Sequence, residues 1–273
     1  MTVSASEKYE VLLAHLGRLD SVLVAYSGGV DSTLLAVAAR DALGDRSLCV
    51  LATSETYPLS EVEAARETAA QLGLDLIEVE TDELNDPTFA SNPSDRCYYC
   101  KQELFGMLVD VAKTRGLAFV ADGNNADDVS DHRPGHRAAV ELGVVSPLQD
   151  AGLTKDDIRA ISRDLGLPTA DKPSMACLAS RFPYGMVIDR AGLARVGTAE
   201  SAVRALGLRQ FRVRSHGDVA RLEVEPGELE AAWVLRGAIS EALRAAGFAY
   251  ATLDLDGYRT GSLNETLSEE ERA

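Results

Sequence analysis

Ser27-Gly28-Gly29-Val30-Asp31-Ser32 is the stretch whose reading decides the fold. It follows an apolar run, Val22-Leu23-Val24-Ala25-Tyr26, and precedes a helix-compatible run from Thr33 to Leu43. The pattern is a strand, a glycine turn and a helix N-terminus. Gly28 and Gly29 let the backbone approach a bulky anion without side-chain collision. The N–H groups of the turn, including that of Val30, and the positive end of the helix dipole then favour phosphate. Ser27 and Ser32 can add hydroxyl donors, and Asp31 is placed to hold a metal ion on the phosphates. The lysine of the G-x-x-x-x-G-K-[ST] loop is absent, so this is a different kind of phosphate loop. The plain alternative is a glycine turn that only joins a buried strand to a helix.

Outward from this turn, strand-like runs alternate with helix-like runs. Val22–Tyr26, Leu48–Thr53, Leu74–Glu80 and Leu117–Ala121 read as strands, separated by helices near Ser32–Leu43, Glu61–Leu72 and Cys97–Arg115. Ser60-x-x-Glu63 reads as a capping box with Gly73 past the helix end, and Thr154 with Asp157 opens a further helix closed by Gly166. Such alternation predicts an α/β fold with a parallel sheet covered on both faces. Ligands of such sheets sit beyond the carboxyl ends of the strands. Thr53 and Ser54 after the second strand are therefore expected on the adenine side. Gly123, Asp127 and Asp128, in the run Asp122 to Asp128 after the fourth, are expected to face the same crevice.

The pattern changes near Leu167, which predicts a first domain over 1–168 and a smaller α/β domain over 169–273. Lys172 to Gly185 is polar, carries two prolines and reads as a hinge loop. A helix near Arg190–Leu206, strands near Phe211–Ser215 and Ala220–Val224, one helix from Pro226 to about Ala246, and a strand Tyr250–Leu255 follow. The tail Ser268 to Arg272 is expected to fray.

The 273 residues give ample core, with 46% hydrophobic residues. No run of eighteen apolar residues predicts a membrane span, and Met1 to Asp20 lacks a secretion pattern, so the expected compartment is the cytoplasm. The formal charge of −16 argues against a protein that grips nucleic acid through many phosphates. A small anionic substrate needs only a few arginines.

The chain has four cysteines, and with no secretion signal they invite a metal or catalytic reading rather than disulfides. Cys49 sits within a strand and reads as a small buried hydrophobe. Cys97-Tyr98-Tyr99-Cys100 has three chemical readings. It could be a redox dithiol at a helix N-terminus, half of a zinc site, or, with Cys177, three ligands of an iron–sulfur cluster. Spacing alone does not choose among these and unligated thiols. In Phe211-Arg212-Val213-Arg214, strand period places the two arginines on one face about 7 Å apart. Two guanidinium forks there suit a phosphate or carboxylate; a solvated sheet face is the plain alternative.

Ser27–Ser32 resembles the S-G-G-x-D-S loop of the ATP pyrophosphatases, which split ATP between its α- and β-phosphates. Together with Asp122–Asp128, Arg133-Pro134-Gly135, Lys172-Pro173-x-x-Ala176-Cys177-Leu178-Ala179-Ser180-Arg181-x-Pro183-Tyr184-Gly185 and Arg212-Val213-Arg214, it makes the whole chain similar to the LarE family. These are ATP-dependent sulfur transferases that help build the nickel-pincer nucleotide cofactor of lactate racemase. The resemblance implies a Rossmann-like sheet of the adenine nucleotide α-hydrolase type, with a second domain for substrate binding and oligomerisation. It implies ATP and Mg²⁺ as cofactors and a pyridinium dicarboxylate mononucleotide as the small-molecule substrate. Cys177 stands at the sulfur-donating position, and Ser180, Arg181, Arg212 and Arg214 at positions that hold the substrate's phosphate. The presence of Cys97 and Cys100 makes the chain look like the three-Cys branch, in which a 4Fe–4S cluster on Cys97, Cys100 and Cys177 delivers sulfide. In the other branch, Cys177 gives up its own sulfur. A homo-oligomer, suggested as a hexamer, and a sulfur-reloading partner are further implications. A tRNA thiolation enzyme, an amide-forming ligase of the NAD or GMP synthetase kind, and a nucleotide sensor without chemistry are the rival readings.

Overall fold

The computed structural model describes residues 4–130, 134–259 and 261–268. The chain forms two compact units, one of 1–83 with 97–175 and one of 84–96 with 176–273. The excursion Leu84–Arg96, which the sequence pattern left within the first domain, groups with the second unit.

In the first unit, helix α1 (Ala5–Leu16) precedes β1 (Val22–Tyr26), α2 (Val30–Leu43), β2 (Ser47–Thr53), α3 (Leu59–Gln71), β3 (Leu76–Glu80), α4 (Arg96–Arg115), β4 (Phe119–Ala121) and α5 (Lys155–Asp164). The four strands are parallel in the order β3-β2-β1-β4. Alternation along the strands sends side chains to two cores. Val22, Val24, Tyr26, Cys49 and Leu51 pack into one core with α1, α2 and α5. Leu23, Leu48, Val50 and Val120 pack into the other with Leu104, Phe105 and Leu108 of α4. The expected parallel sheet with both faces covered is what forms, an α/β fold of the Rossmann-like kind.

The capping box read at Ser60 and Glu63 does not form. Pro58 is the N-cap of α3 and its side chain makes no cap bond. The fixed φ of proline turns the chain into the helix two residues early, so Ser60 already lies inside it. The box at Thr154 and Asp157 does form and opens α5.

In the second unit, α6 (Arg190–Ala205) leads to the antiparallel pair β5 (Phe211–His216) and β6 (Val219–Val224). Helix α7 (Arg236–Ala245) leads to β7 (Tyr250–Leu253), parallel to β6. The single helix expected from Pro226 to Ala246 is broken into a 3₁₀ turn Pro226–Glu228, a short helix Leu229–Val234 and α7. The breaks fall at Glu228 and Leu235, where ψ flattens to near 0°. Arg133 and the tail beyond Ser268 lie outside the described residues. No helix among the described residues is long and apolar enough to cross a membrane.

Candidate active site

β1 ends at Tyr26, and the chain turns through Ser27 and Gly28 into α2, whose N-cap is Gly29. Gly28 has φ +67°, and a Cβ there would lie 2.5 Å from the Cβ of Ala65 on α3. Only glycine satisfies both the left-handed backbone and that close approach. Ser32 closes the turn from within. Its hydroxyl accepts from the Ser27 N–H at 3.2 Å, meets the Ser27 hydroxyl at 3.0 Å and donates to the Gly29 carbonyl at 3.3 Å. The N–H groups of the first turn of α2 have no acceptor within the helix and define an anion cradle. Gly123 sits beside it: a Cβ there would be 3.3 Å from the Ser32 nitrogen.

Asp31, in the first turn of α2, makes an ion pair with Lys155 at the start of α5 and accepts from the Asn125 side chain at 3.4 Å. Asp127 and Asp128 shape the same loop: Asp127 accepts from the Lys155 N–H at 2.8 Å and Asp128 from the Asn125 N–H at 3.0 Å. A carboxylate that draws an ammonium group at a phosphate cradle fits a divalent cation, and Asp31 is the residue that would hold Mg²⁺. Lys172 donates to the Gly28 carbonyl at 3.0 Å and pairs with Glu61 at 2.9 Å, so it braces the turn from behind. Asp122 is buried, which raises its carboxyl pKa against the opposing hydrogen bonds from Ser146 and Asn124. At the end of β2, Thr53 donates to the Val79 carbonyl, and Ser54 with Thr56 donates to one oxygen of the buried Glu83.

The cysteines differ sharply in setting. Cys49 is buried in β2, and burial pushes its thiol pKa up to about 12, as its reading as a core residue predicts. Cys97 is exposed and Cys100 half-buried, both in the first two turns of α4 and in the first unit. Tyr98 between them donates to Glu141 at 2.7 Å and lies under the Arg137 guanidinium. Cys177 is half-buried, belongs to the second unit and is the N-cap of a 3₁₀ turn, Leu178–Arg181. Among the described residues, no three His, Cys, Asp or Glu side chains gather as a metal centre requires. Two thiolates one helical turn apart do not by themselves fit a 4Fe–4S cluster.

Arg181, Arg212 and Arg214 of the second unit are buried. Arg181 pairs both its Nε and Nη2 with Glu200 of α6, each at 2.8 Å. Arg214 pairs with Glu223 at 2.8 Å and donates to the Ser180 carbonyl at 2.7 Å and the Ser262 hydroxyl at 3.0 Å. Arg212 lies opposite Glu223 in the β5–β6 register, with its guanidinium over the Tyr258 ring. Burial lowers the Arg212 pKa, and the neighbouring Arg181 charge lowers it further. A buried cation held among other cations is a strong attractor for an anion. Both strand arginines are under 7% exposed, so the solvated-face alternative is excluded.

Lys155, Glu200 and Glu223 were not singled out from sequence as site residues. Glu200 left a signal, since it falls on the buried stripe of α6 with Leu193, Val196 and Val203. Nothing in the sequence links Lys155 to an aspartate 124 residues away.

The NAD synthase family profile matches residues 11–98, the segment that holds the glycine turn. An uncharacterised protein of Synechocystis is 44% identical over 96% of this chain and 98% of its own length. The pyridinium-3,5-bisthiocarboxylic acid mononucleotide synthase of Lactiplantibacillus plantarum is 38% identical over 97% of both chains. The GMP synthase of Chlamydia caviae is 28% identical over 62% of this chain but only 34% of its own.

Proposed function

From the premise that this chain belongs to the LarE family of pyridinium-3,5-bisthiocarboxylic acid mononucleotide synthases, we propose that it is an ATP-dependent sulfur transferase. It is an enzyme with the ATP-handling core of the PP-loop pyrophosphatases. Its proposed substrate is pyridinium-3,5-biscarboxylic acid mononucleotide, one carboxylate of which becomes a thiocarboxylate. The single observation that carries this reading is the end-to-end match to the Lactiplantibacillus synthase.

The chemistry assigns each part a task. The carboxylate attacks the α-phosphorus of ATP and pyrophosphate leaves, which converts an inert carboxylate into an acyl adenylate. The N–H groups at Gly28, Gly29 and Val30, with the Ser27 and Ser32 hydroxyls, receive the phosphates, while Thr53, Ser54 and Gly123 border the nucleoside. Asp31 would hold Mg²⁺, which would supply charge neutralisation for the departing pyrophosphate. Asp127 and Asp128 order the loop that frames this end of the sheet. Ser180, Arg212 and Arg214 take the substrate's own phosphate, with the buried charge of Arg212 as its main attractor.

Sulfur enters at Cys177. The Cys177 thiolate attacks the acyl adenylate, forms a thioester and expels AMP. Loss of the Cα proton then breaks the Cβ–S bond, leaving the thiocarboxylate and a dehydroalanine at position 177. The other sulfur source would be a 4Fe–4S cluster held by Cys97, Cys100 and Cys177, which would supply sulfide; the Cys-x-x-Cys pair is what favours it. Anaerobic purification with an iron assay, followed by mass spectrometry after turnover, separates the two. A colourless protein lighter by the elements of H₂S means that Cys177 was consumed, and an iron-loaded protein of unchanged mass means that it was not. Thiocarboxylate formation that needs neither ATP nor Cys177 would overturn the proposal. A cytoplasmic homo-oligomer, with a partner that reloads sulfur in the cluster version, completes it.

A further inference from the structure

We propose that Arg181, with Glu200, is a positioning residue for Cys177 and not a ligand of the substrate's phosphate; this rests on Cys177 being the point of sulfur transfer. Arg181 is 0% exposed. Its Nε and Nη2 are spent on the two oxygens of Glu200. The remaining nitrogen, Nη1, faces the carbonyls of Ala176 at 2.8 Å and Cys177 at 3.0 Å, and the Ser180 hydroxyl at 2.9 Å. Every nitrogen of the guanidinium thus has a partner within the protein, and its complete burial, against the 7% exposure of the Arg214 side chain, leaves no face open to an incoming anion.

The Cys177 carbonyl is the focus of this arrangement. It accepts from the Ser180 N–H at 3.1 Å, from the Ser180 hydroxyl at 2.8 Å and from Arg181 Nη1. Three donors on one carbonyl fix the peptide that follows Cys177, and the Arg181 bond to Ala176 fixes the peptide before it. The direction of the Cα–Cβ bond, and therefore of the thiol, is set from both sides. Glu200 anchors the clamp to the rest of the unit, because its Oε1 also accepts from the Val213 N–H at 3.0 Å. Val213 lies between Arg212 and Arg214 on β5. The same carboxylate therefore ties the sulfur-bearing turn to the strand that presents the phosphate-binding arginines. A nucleophile loses rate steeply when its approach is misdirected, even if substrate binds as before.

Single-turnover kinetics of thiocarboxylate formation distinguish the two roles when Arg181→Lys is compared against Arg212→Lys. Here kcat is read as the maximal single-turnover rate and KM as the half-saturating mononucleotide concentration. Lysine keeps the charge at 181 but cannot span Glu200 and the two carbonyls at once. Arg181→Lys is expected to lower kcat at least tenfold with the KM for the mononucleotide within twofold of wild type. Arg212→Lys is expected to raise that KM at least tenfold. Alkylation followed by peptide mass mapping should also show faster modification of Cys177 in Arg181→Lys, with Cys97 unchanged. A tenfold rise in KM with kcat preserved in Arg181→Lys would overturn the inference and return Arg181 to the phosphate site. Where that variant does not fold, Glu200→Gln carries the same comparison. Failure of the underlying reading looks different: a Cys177→Ala control would then still form thiocarboxylate.

Discussion

The glycine turn of the first unit and the Cys177 turn of the second solve the same problem, holding a short loop still, by opposite means. Ser27 to Ser32 is held by shape. Gly28 fits because nothing but hydrogen fits against Ala65. The Cys177 turn is held by charge, through Arg181–Glu200 and Arg214–Glu223. Shape leaves a local signature in sequence, whereas buried charge pairs recruit partners from distant elements and leave little.

If the second turn depends on buried charge, removing one partner should be the most damaging change. Glu223→Ala strands Arg214 in the interior and is expected to cost about 3–5 kcal/mol. A thermal melt should show the loss, and a variant that melts with the wild type would mean that the turn does not depend on this pair. If the first turn depends on shape, Gly28→Ala should cost about 2–5 kcal/mol from the strained φ and the overlap with Ala65, and should abolish pyrophosphate exchange. Full exchange in that variant would mean that the cradle is not built by close approach. An ordinary helix start lies below both: Thr154→Ala, which removes the capping box of α5, should cost about 1 kcal/mol in a denaturant titration.

The smallest effect concerns pH. Cys49 has its native pKa raised to about 12, above the ordinary thiol value of about 8.5. The unfolded thiol therefore ionises first as pH rises. Stability from this group is fully present below about pH 8.5 and declines from there toward the native value. Comparing melts of wild type and Cys49→Ala from pH 7 to 10 should show the difference shift only at the alkaline end. Native alkylation at pH 8 should modify Cys97 and leave Cys49 untouched.

Most of the sheet was legible because strand and helix periods are local. Val22–Tyr26 was read to the residue, and each core face follows from alternation along it. The missed α3 boundary came from two competing local signals, a capping box and a proline, of which the proline prevailed. The Pro226 helix broke beside Gly227 and close to Gly237, poor helix formers that the single-helix reading ran through. In the candidate site, the phosphate loop and Asp31 were visible as a motif, but the Lys155 ammonium that meets Asp31 was not. Arg212 and Arg214 were visible as a pair. Their burial was hidden because it depends on Glu223 across the sheet and on the segments around Ser180, Tyr258 and Ser262.

The most direct test of the account follows both products of Cys177→Ala when the enzyme is supplied with ATP, Mg²⁺ and the pyridinium dicarboxylate mononucleotide. Pyrophosphate released at close to the wild-type initial rate, with no thiocarboxylate detected by mass spectrometry, is the predicted result. Thiocarboxylate formed at the wild-type rate would contradict it.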